Sequence, residues 1–300
     1  MTFTRTFVAV ALGGLAAAVS CRGCGERICV SRVMLSGVPE SAQSGLAGGK
    51  IRDAISKEAS GSTPFRVDPG AKDGWTLKIG LRGVVDAVAS GAAPSPGDEA
   101  LRMDVKLQRH DEKTGLDAYA VVVALSAEDM GALRASANPE AKVAALVAGG
   151  LSRIRTQMRL RGFEHADLIK ELAANEAWRR ELAVEELGRR RSREAAPQLL
   201  LKLKDPERSV AMKAVGALVA AGDTAVAAPI IEFARGKDAA TQIQILYAVS
   251  QLGGPVAEGY LFVMATGHSD LQIAHAAKEA FDELEGRKAK AAGQHRTAAE

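Results

Sequence analysis

The sequence predicts two folds in series: an α+β two-layer sandwich over residues 30–161 and an all-α array of helix pairs over residues 164–286. Two observations carry this. From about 167 to 284 the chain repeats itself: Ala183, Ala214, Ala248 and Ala280 each begin a five-residue segment that ends in leucine, at intervals of 31, 34 and 32 residues. Ala195-Ala196-Pro197 and Ala227-Ala228-Pro229 recur between them, 32 residues apart, each followed by an apolar run. Periods of this size mark stacked helical units, because one pair of helices cannot bury its own apolar stripe. Upstream, the apolar period changes from 3.6 residues to 2, the signature of half-buried strands.

Residues 1–20 read as a targeting segment. Arg5 is their only charge, and the uncharged run from Val8 to Val19 is shorter than the ~20 residues a permanent span needs. Ala18-Val19-Ser20-Cys21 is similar to a bacterial lipobox, with alanine where leucine is usual three places before the cysteine. That resemblance implies cleavage before Cys21 and a diacylglycerol on its thiol, holding the protein at an envelope membrane through lipid. Ordinary secretion and a retained anchor are the alternatives. Residues 21–29 form a short tether. The chain has three cysteines, and if Cys21 carries lipid, Cys24 and Cys29 remain as an even pair able to close a small loop, with free thiols as the alternative. A metal site at Cys21-x-x-Cys24 lacks a second ligand pair.

Within the sandwich, Val30, Arg32 and Met34 alternate with Ser31, Val33 and Leu35, and the stretches 77–82 and 101–107 alternate in the same way. Asp111 to Gly115 reads as a turn, and 116–125 as the strand returning from it in a hairpin. Leu46, Ile51, Ala54 and Ile55 share one helical face within 43–59, and Val143, Leu146, Val147, Leu151, Ile154 and Met158 share one within 139–160. Two helices over one face of an antiparallel-rich sheet make the two-layer sandwich. The Pro- and Gly-rich stretch 89–97 reads as a surface connection. This element order behind a lipidated cysteine looks like the small periplasmic domains of lipoproteins that activate peptidoglycan synthases or assemble secretion pores.

The array follows after a short linker at 162–165. From Glu207 to Ala221, Val210, Ala211, Ala214, Val215, Leu218 and Val219 form one stripe, while Arg208 and Lys213 face away. Asp205 is the expected N-cap, Pro206 the first helical residue and Gly222 the stop. Lys204-Asp205-Pro206-Glu207-Arg208-Ser209-Val210, followed by Ala214-Val215-Gly216-Ala217-Leu218, resembles the short HEAT-type repeat, including the variant found in phycobilisome-lyase-like proteins. The resemblance covers roughly 120 residues and implies an α-solenoid of three pairs with an extra terminal helix. Where that family places an arginine to pair with a neighbouring loop aspartate, this chain has Ala211 and Gln244, so apolar packing is expected to hold the repeats together. The 287–300 stretch reads as a basic tail.

Candidates for chemistry are few. Gly45 to Lys50 has three residues between its outer glycines and Ile51 after the lysine, which does not make a phosphate loop. His268, Asp270 and His275 do not fall on one helical face, and Ser269 or Asp270 reads as a helix cap. His110, Asp111 and Glu112 sit in the predicted turn. No catalytic residue, metal or cofactor is assigned. Aromatics at 4% and a net charge of +3 give no platform for nucleic acid. The strongest charge run, Arg189, Arg190, Arg191 and Arg193, lies near a helix C-terminus, where cations meet the negative end of the dipole; its functional reading is a patch for an acidic partner. The expectation is therefore a non-catalytic, membrane-anchored scaffold that binds an envelope protein through its repeat surface. The alternatives are a regulator of a cell-wall or secretion machine acting through the amino-terminal domain, and an enzyme with an interdomain site.

Overall fold

A computed structural model describes residues 28–37, 48–61, 65–71, 74–81, 102–111, 115–125 and 127–297, and the chain divides into two compact units, 1–158 and 159–300. In the first unit, β1 (Ile28–Ser36), β2 (Phe65–Val67), β3 (Trp75–Gly80), β4 (Arg102–Asp111) and β5 (Gly115–Ala124) form one sheet in the order β2-β1-β3-β4-β5. Helices α1 (Gly48–Gly61), α2 (Ala127–Arg134) and α3 (Pro139–Arg161) accompany it. The β4-β5 hairpin is antiparallel, as its alternation and turn predict. The sheet as a whole is mixed, because β1 runs parallel to both β2 and β3. Helix α1 lies between β1 and β2 in the chain, and a helical crossover returns the next strand in the same direction. The three-residue β2 and the eight-residue α2 are too short to impose a period, and sequence patterning did not find them.

Register sorts the strand residues onto two faces. Val33, Leu77, Leu107 and Tyr119 form one rung across β1, β3, β4 and β5, and Leu35, Ile79, Val105 and Val121 form the next. Of these eight, all but the half-buried Leu35 and Tyr119 are buried. Ile51 and Ile55 of α1 and Val143, Val147, Leu151 and Ile154 of α3 add to the core. At Gly150 a Cβ would come within 2.7 Å of Val105 Cγ2, so α3 approaches the sheet as closely as a missing side chain allows. On the other face Arg32, Met34, Lys78, Lys106, Ala120 and Val122 are exposed. β1 also departs from strict alternation: its register shifts between Val30 and Arg32, so that both Val30 and Val33 are buried. A bulge of this kind inserts one residue and is invisible to a period-two pattern.

The second unit begins in the last turn of α3. It contains α4 (His165–Glu171), α5 (Ala177–Arg189), α6 (Ala196–Lys202), α7 (Arg208–Ala221), α8 (Ala227–Ala234), α9 (Ala239–Leu252), α10 (Pro255–Gly267) and α11 (Leu271–Thr297). Short 3-10 turns precede α6 and α8. The recurring Ala-to-Leu segments fall on α5, α7, α9 and α11, and Leu187, Leu218, Leu252 and Leu284 are all buried. Each of these helices packs on the next, and each follows a partner helix, which makes four pairs among the described residues rather than three and a lone final helix. At Gly188 a Cβ would lie 3.0 Å from Ala217 Cα, so α5 and α7 meet at small residues.

Two further expectations are corrected. Helix α11 continues through Thr297, taking in much of the expected basic tail. Arg287 pairs with Glu283 one turn earlier and donates to the Ser250 carbonyl, while Lys288 reaches Glu285 at 2.9 Å and Glu258 at 3.0 Å. Helix α7 starts at Arg208 with Glu207 as its N-cap, later than Asp205 and Pro206 suggested.

Candidate functional site

The polar residues of the array fall into two groups, those that tie helix to helix and those left at its surface. The first group adds polar ties to the apolar packing expected to supply most of the cohesion between repeats. Arg180 of α5 is 9% exposed and forks onto Asp205 in the α6–α7 loop, with Nε donating to Oδ2 at 2.9 Å and Nη2 to Oδ1 at 2.8 Å. Its Nη1 donates to the carbonyls of Ala174 and Asn175 at 2.9 and 2.8 Å. Burial alone would raise the Asp205 carboxyl; Arg180, the Glu207 N–H and Lys202 together hold it below the ordinary carboxylate range. Asp205 is therefore an interhelix anchor rather than a helix cap. The expected arginine position holds Ala211 after Val210 and Gln244 after Ile243, and the arginine that makes the pair stands one repeat earlier.

A second tie joins α5 to α7. Lys213, expected to face away, donates to Glu181 at 2.9 Å and lies 2.5 Å from Glu185. Burial works against its charge, and the two carboxylates overcome that and raise its pKa. Between α7 and α9, Arg208 Nη2 donates to Thr241 Oγ1 and lies 3.7 Å from Asp238, whose carboxylate accepts from the Thr241 N–H and caps α9. Beside Ala211 a cleft of about 260 Å³ opens, lined by Asp205, Arg208, Phe233, Asp238 and Thr241 among others.

The arginine run occupies the C-terminal end of α5, as its position relative to the repeat predicted. The structure divides it. Glu186 is 5% exposed and accepts from Arg189 Nε and Nη2 at 2.7 and 2.6 Å and from Arg190 Nε at 2.7 Å. Burial of Glu186 opposes ionisation, but these two guanidiniums keep its carboxyl below the usual range. Arg190 also donates to the carbonyls of Leu160 and Arg161, satisfying the C-terminus of α3. Arg189 and Arg190 thus serve the fold.

Arg191 and Arg193 are exposed. Arg193 Nε donates to the Ala221 carbonyl at 3.0 Å, and the Arg191 side chain makes no hydrogen bond or ion pair among the described residues. Arg191 stands at φ 51°, the one non-glycine in the left-handed region among the described residues. Its N–H bonds the Gly188 carbonyl and the Ser192 N–H bonds that of Leu187, the pair of bonds that closes a helix in which glycine usually takes the left-handed place. The corresponding end of α7 uses Gly222 at φ 72°. Around this turn His165, Arg190, Arg191, Ser192, Arg193 and Glu194 line an open concavity of about 400 Å³, with Ser192 Oγ 3.3 Å from His165 Nδ1.

The remaining candidates resolve simply. Cys29 lies inside β1, buried and disulfide-bonded; Cys21 and Cys24 lie outside the described residues. Asp270 Oδ1 accepts from the Gln272 N–H at 2.8 Å, so it caps α11, and its own N–H bonds His268 Nδ1 at 3.0 Å. Among the described residues no group of three His, Cys, Asp or Glu side chains could hold a metal ion, and no helix is long and apolar enough to cross a membrane.

Fold and site together define a class: a five-stranded mixed sheet with helices, followed by an array of helix pairs tied by the buried Arg180–Asp205 pair and by partly exposed ion pairs. No protein-family model matches the chain, and no curated protein is similar to it.

Proposed function

We propose that this chain is a lipid-anchored envelope protein in which a two-layer sandwich near the membrane carries a HEAT-like α-solenoid, and that the solenoid binds a partner protein without turnover. Its address rests on the apolar, nearly uncharged leader and on Cys21, which would carry the lipid and leave Cys24 to pair with Cys29. The observation that carries the binding reading is Arg191. Arg191 is exposed on a left-handed backbone, and its guanidinium has no hydrogen-bond or ion-pair partner among the described residues, while its neighbours Arg189 and Arg190 are committed to Glu186. The acidic-partner patch is therefore narrowed to Arg191 and Arg193, on the rim of the 400 Å³ concavity. An acidic segment of an envelope protein fits it by charge.

Two measurements test the proposal. The first is the non-reducing intact mass of the chain made in a lipoprotein-processing bacterium, beside Cys21→Ala. A chain beginning at Cys21 with a lipid-sized increment, lost in the variant, is expected; an unmodified chain beginning at Met1 overturns the address. The second is cross-linked capture of envelope proteins by the wild type and by Arg191→Glu/Arg193→Glu. Loss of one acidic partner from the variant is expected, and identical recovery of every captured protein removes the patch.

A further inference from the structure

The open face of the amino-terminal sheet carries charges that the fold itself does not use. Register places Arg32, Thr76, Gln108 and Ala118 in one rung of that face, and Met34, Lys78, Lys106 and Ala120 in the next. A third rung holds Ser36, Gly80, Asp104 and Val122. Arg32, Lys78, Lys106 and Asp104 are exposed, and none makes a hydrogen bond or ion pair among the described residues. Lys78 and Lys106 stand directly opposite each other on neighbouring antiparallel strands. Like charges so placed destabilise a sheet, so packing does not explain them. Strands lie about 4.8 Å apart, which puts Arg32, Lys78 and Lys106 within roughly one Debye length, where they act on a counter-charge together.

Apolar groups lie among these cations. Met34, at one end of the Lys78–Lys106 rung, is 44% exposed, and at the other end Ala120 and its β5 neighbour Val122, 50% exposed, lie open as well. A flat, pleated face with long-stemmed cations and flush apolar groups is suited to a lipid surface, where lysine stems lie along apolar ground and their heads meet anionic headgroups. The tether sets the distance. The seven residues from Cys21 to Ile28 span at most about 25 Å, so a lipid on Cys21 holds β1 close to the bilayer.

We propose that this open sheet face docks on an anionic membrane surface. The proposal rests on the lipid-anchor reading for its address, while the face itself can be tested without the anchor. Each cation near an anionic leaflet strengthens adsorption by about fivefold.

The test uses the unacylated Cys21→Ser chain, cosedimented with vesicles of phosphatidylcholine alone and of equal parts phosphatidylcholine and phosphatidylglycerol. Adsorption to the phosphatidylglycerol vesicles only, weakened by salt and lowered about tenfold or more by Lys78→Glu/Lys106→Glu, is expected. Arg191→Glu/Arg193→Glu should leave it unchanged. Lys78→Glu alone sets Glu opposite Lys106, and it should raise Tm while lowering adsorption, which separates lost docking from lost folding. Adsorption that ignores the lysines, equal adsorption to both vesicles, or none to either overturns the proposal. Capture of an acidic protein dependent on Lys78 and Lys106, without vesicle adsorption, also overturns it and gives the face to a protein. The mass of the Cys21 chain reports separately on the anchor: lysine-dependent adsorption with an unmodified Cys21 ends the anchor reading and leaves the docking face standing.

Discussion

Asp205→Ala removes one partner of the best-defined tie in the array. The Asp205 side chain is 2% exposed and meets Arg180 through two parallel hydrogen bonds of 2.8 and 2.9 Å. The substitution leaves the Arg180 guanidinium buried, with only the carbonyls of Ala174 and Asn175 as partners. Breaking a buried pair in this way costs about 3–5 kcal/mol, far more than the net contribution of the intact pair over an apolar replacement. For a chain of this size each kcal/mol shifts Tm by about 2–4 °C, so a fall of roughly 6–20 °C is expected in the helical signal at 222 nm. Arg180→Met/Asp205→Ala, which removes both charges, should recover most of the loss, and the double-mutant cycle gives the coupling. Acid should act in the same direction. The Asp205 and Glu186 carboxyls are held below their ordinary values. Their contribution is then fully present above about pH 5.5, where both are ionised even in the unfolded chain, and is lost as pH falls through the lower folded values. A fall of less than about 1 kcal/mol in Asp205→Ala, or no recovery in the double variant, would refute the claim that this pair joins the repeats.

Three other outcomes follow from the packing. Leu218→Ala opens a cavity in a fully buried position between helices and should lower stability by about 2–5 kcal/mol in urea unfolding; an unmoved midpoint would place Leu218 outside the core. Gly150→Ala sets a methyl 2.7 Å from Val105 Cγ2 and should cost about 1–3 kcal/mol by overpacking, read as a lower Tm of the full chain; a Tm equal to wild type would mean that α3 does not sit on the sheet so closely. Arg191→Gly relieves the left-handed strain and should raise stability by about 1 kcal/mol while weakening capture of the acidic partner; a loss of stability would show that the arginine side chain supports the turn.

Much of the architecture was legible in the chain because it depends on periods. The 31- to 34-residue recurrence marked α5, α7, α9 and α11 through Leu187, Leu218, Leu252 and Leu284, since a stacked helix must present the same buried face in each pair. Alternation found β1, β3 and the β4-β5 hairpin, and helical stripes found α1 and α3. Short elements escaped, as did the mixed character of the sheet: three residues of β2 have no period, and strand direction is set by the connection between strands rather than by either strand's own pattern.

The candidate site was legible only as composition. Four arginines near a helix end are visible in the sequence, yet their division is not. Glu186 binds Arg189 and Arg190 because a helical turn brings them together, and Arg191 is left exposed because the helix closes through a left-handed residue there. The open face of the sheet has the same origin, because Lys78 and Lys106 are 28 positions apart in the chain and become neighbours only through strand register. By itself the sequence determined the classes of element and the faces they bury, because burial of apolar surface repeats with the local geometry of helix and strand. Tertiary structure alone decided the pairs that join residues remote in the chain, Arg180 with Asp205 and Lys213 with Glu181, and the facing of Lys78 and Lys106, because these depend on how helices stack and strands register rather than on one helical turn.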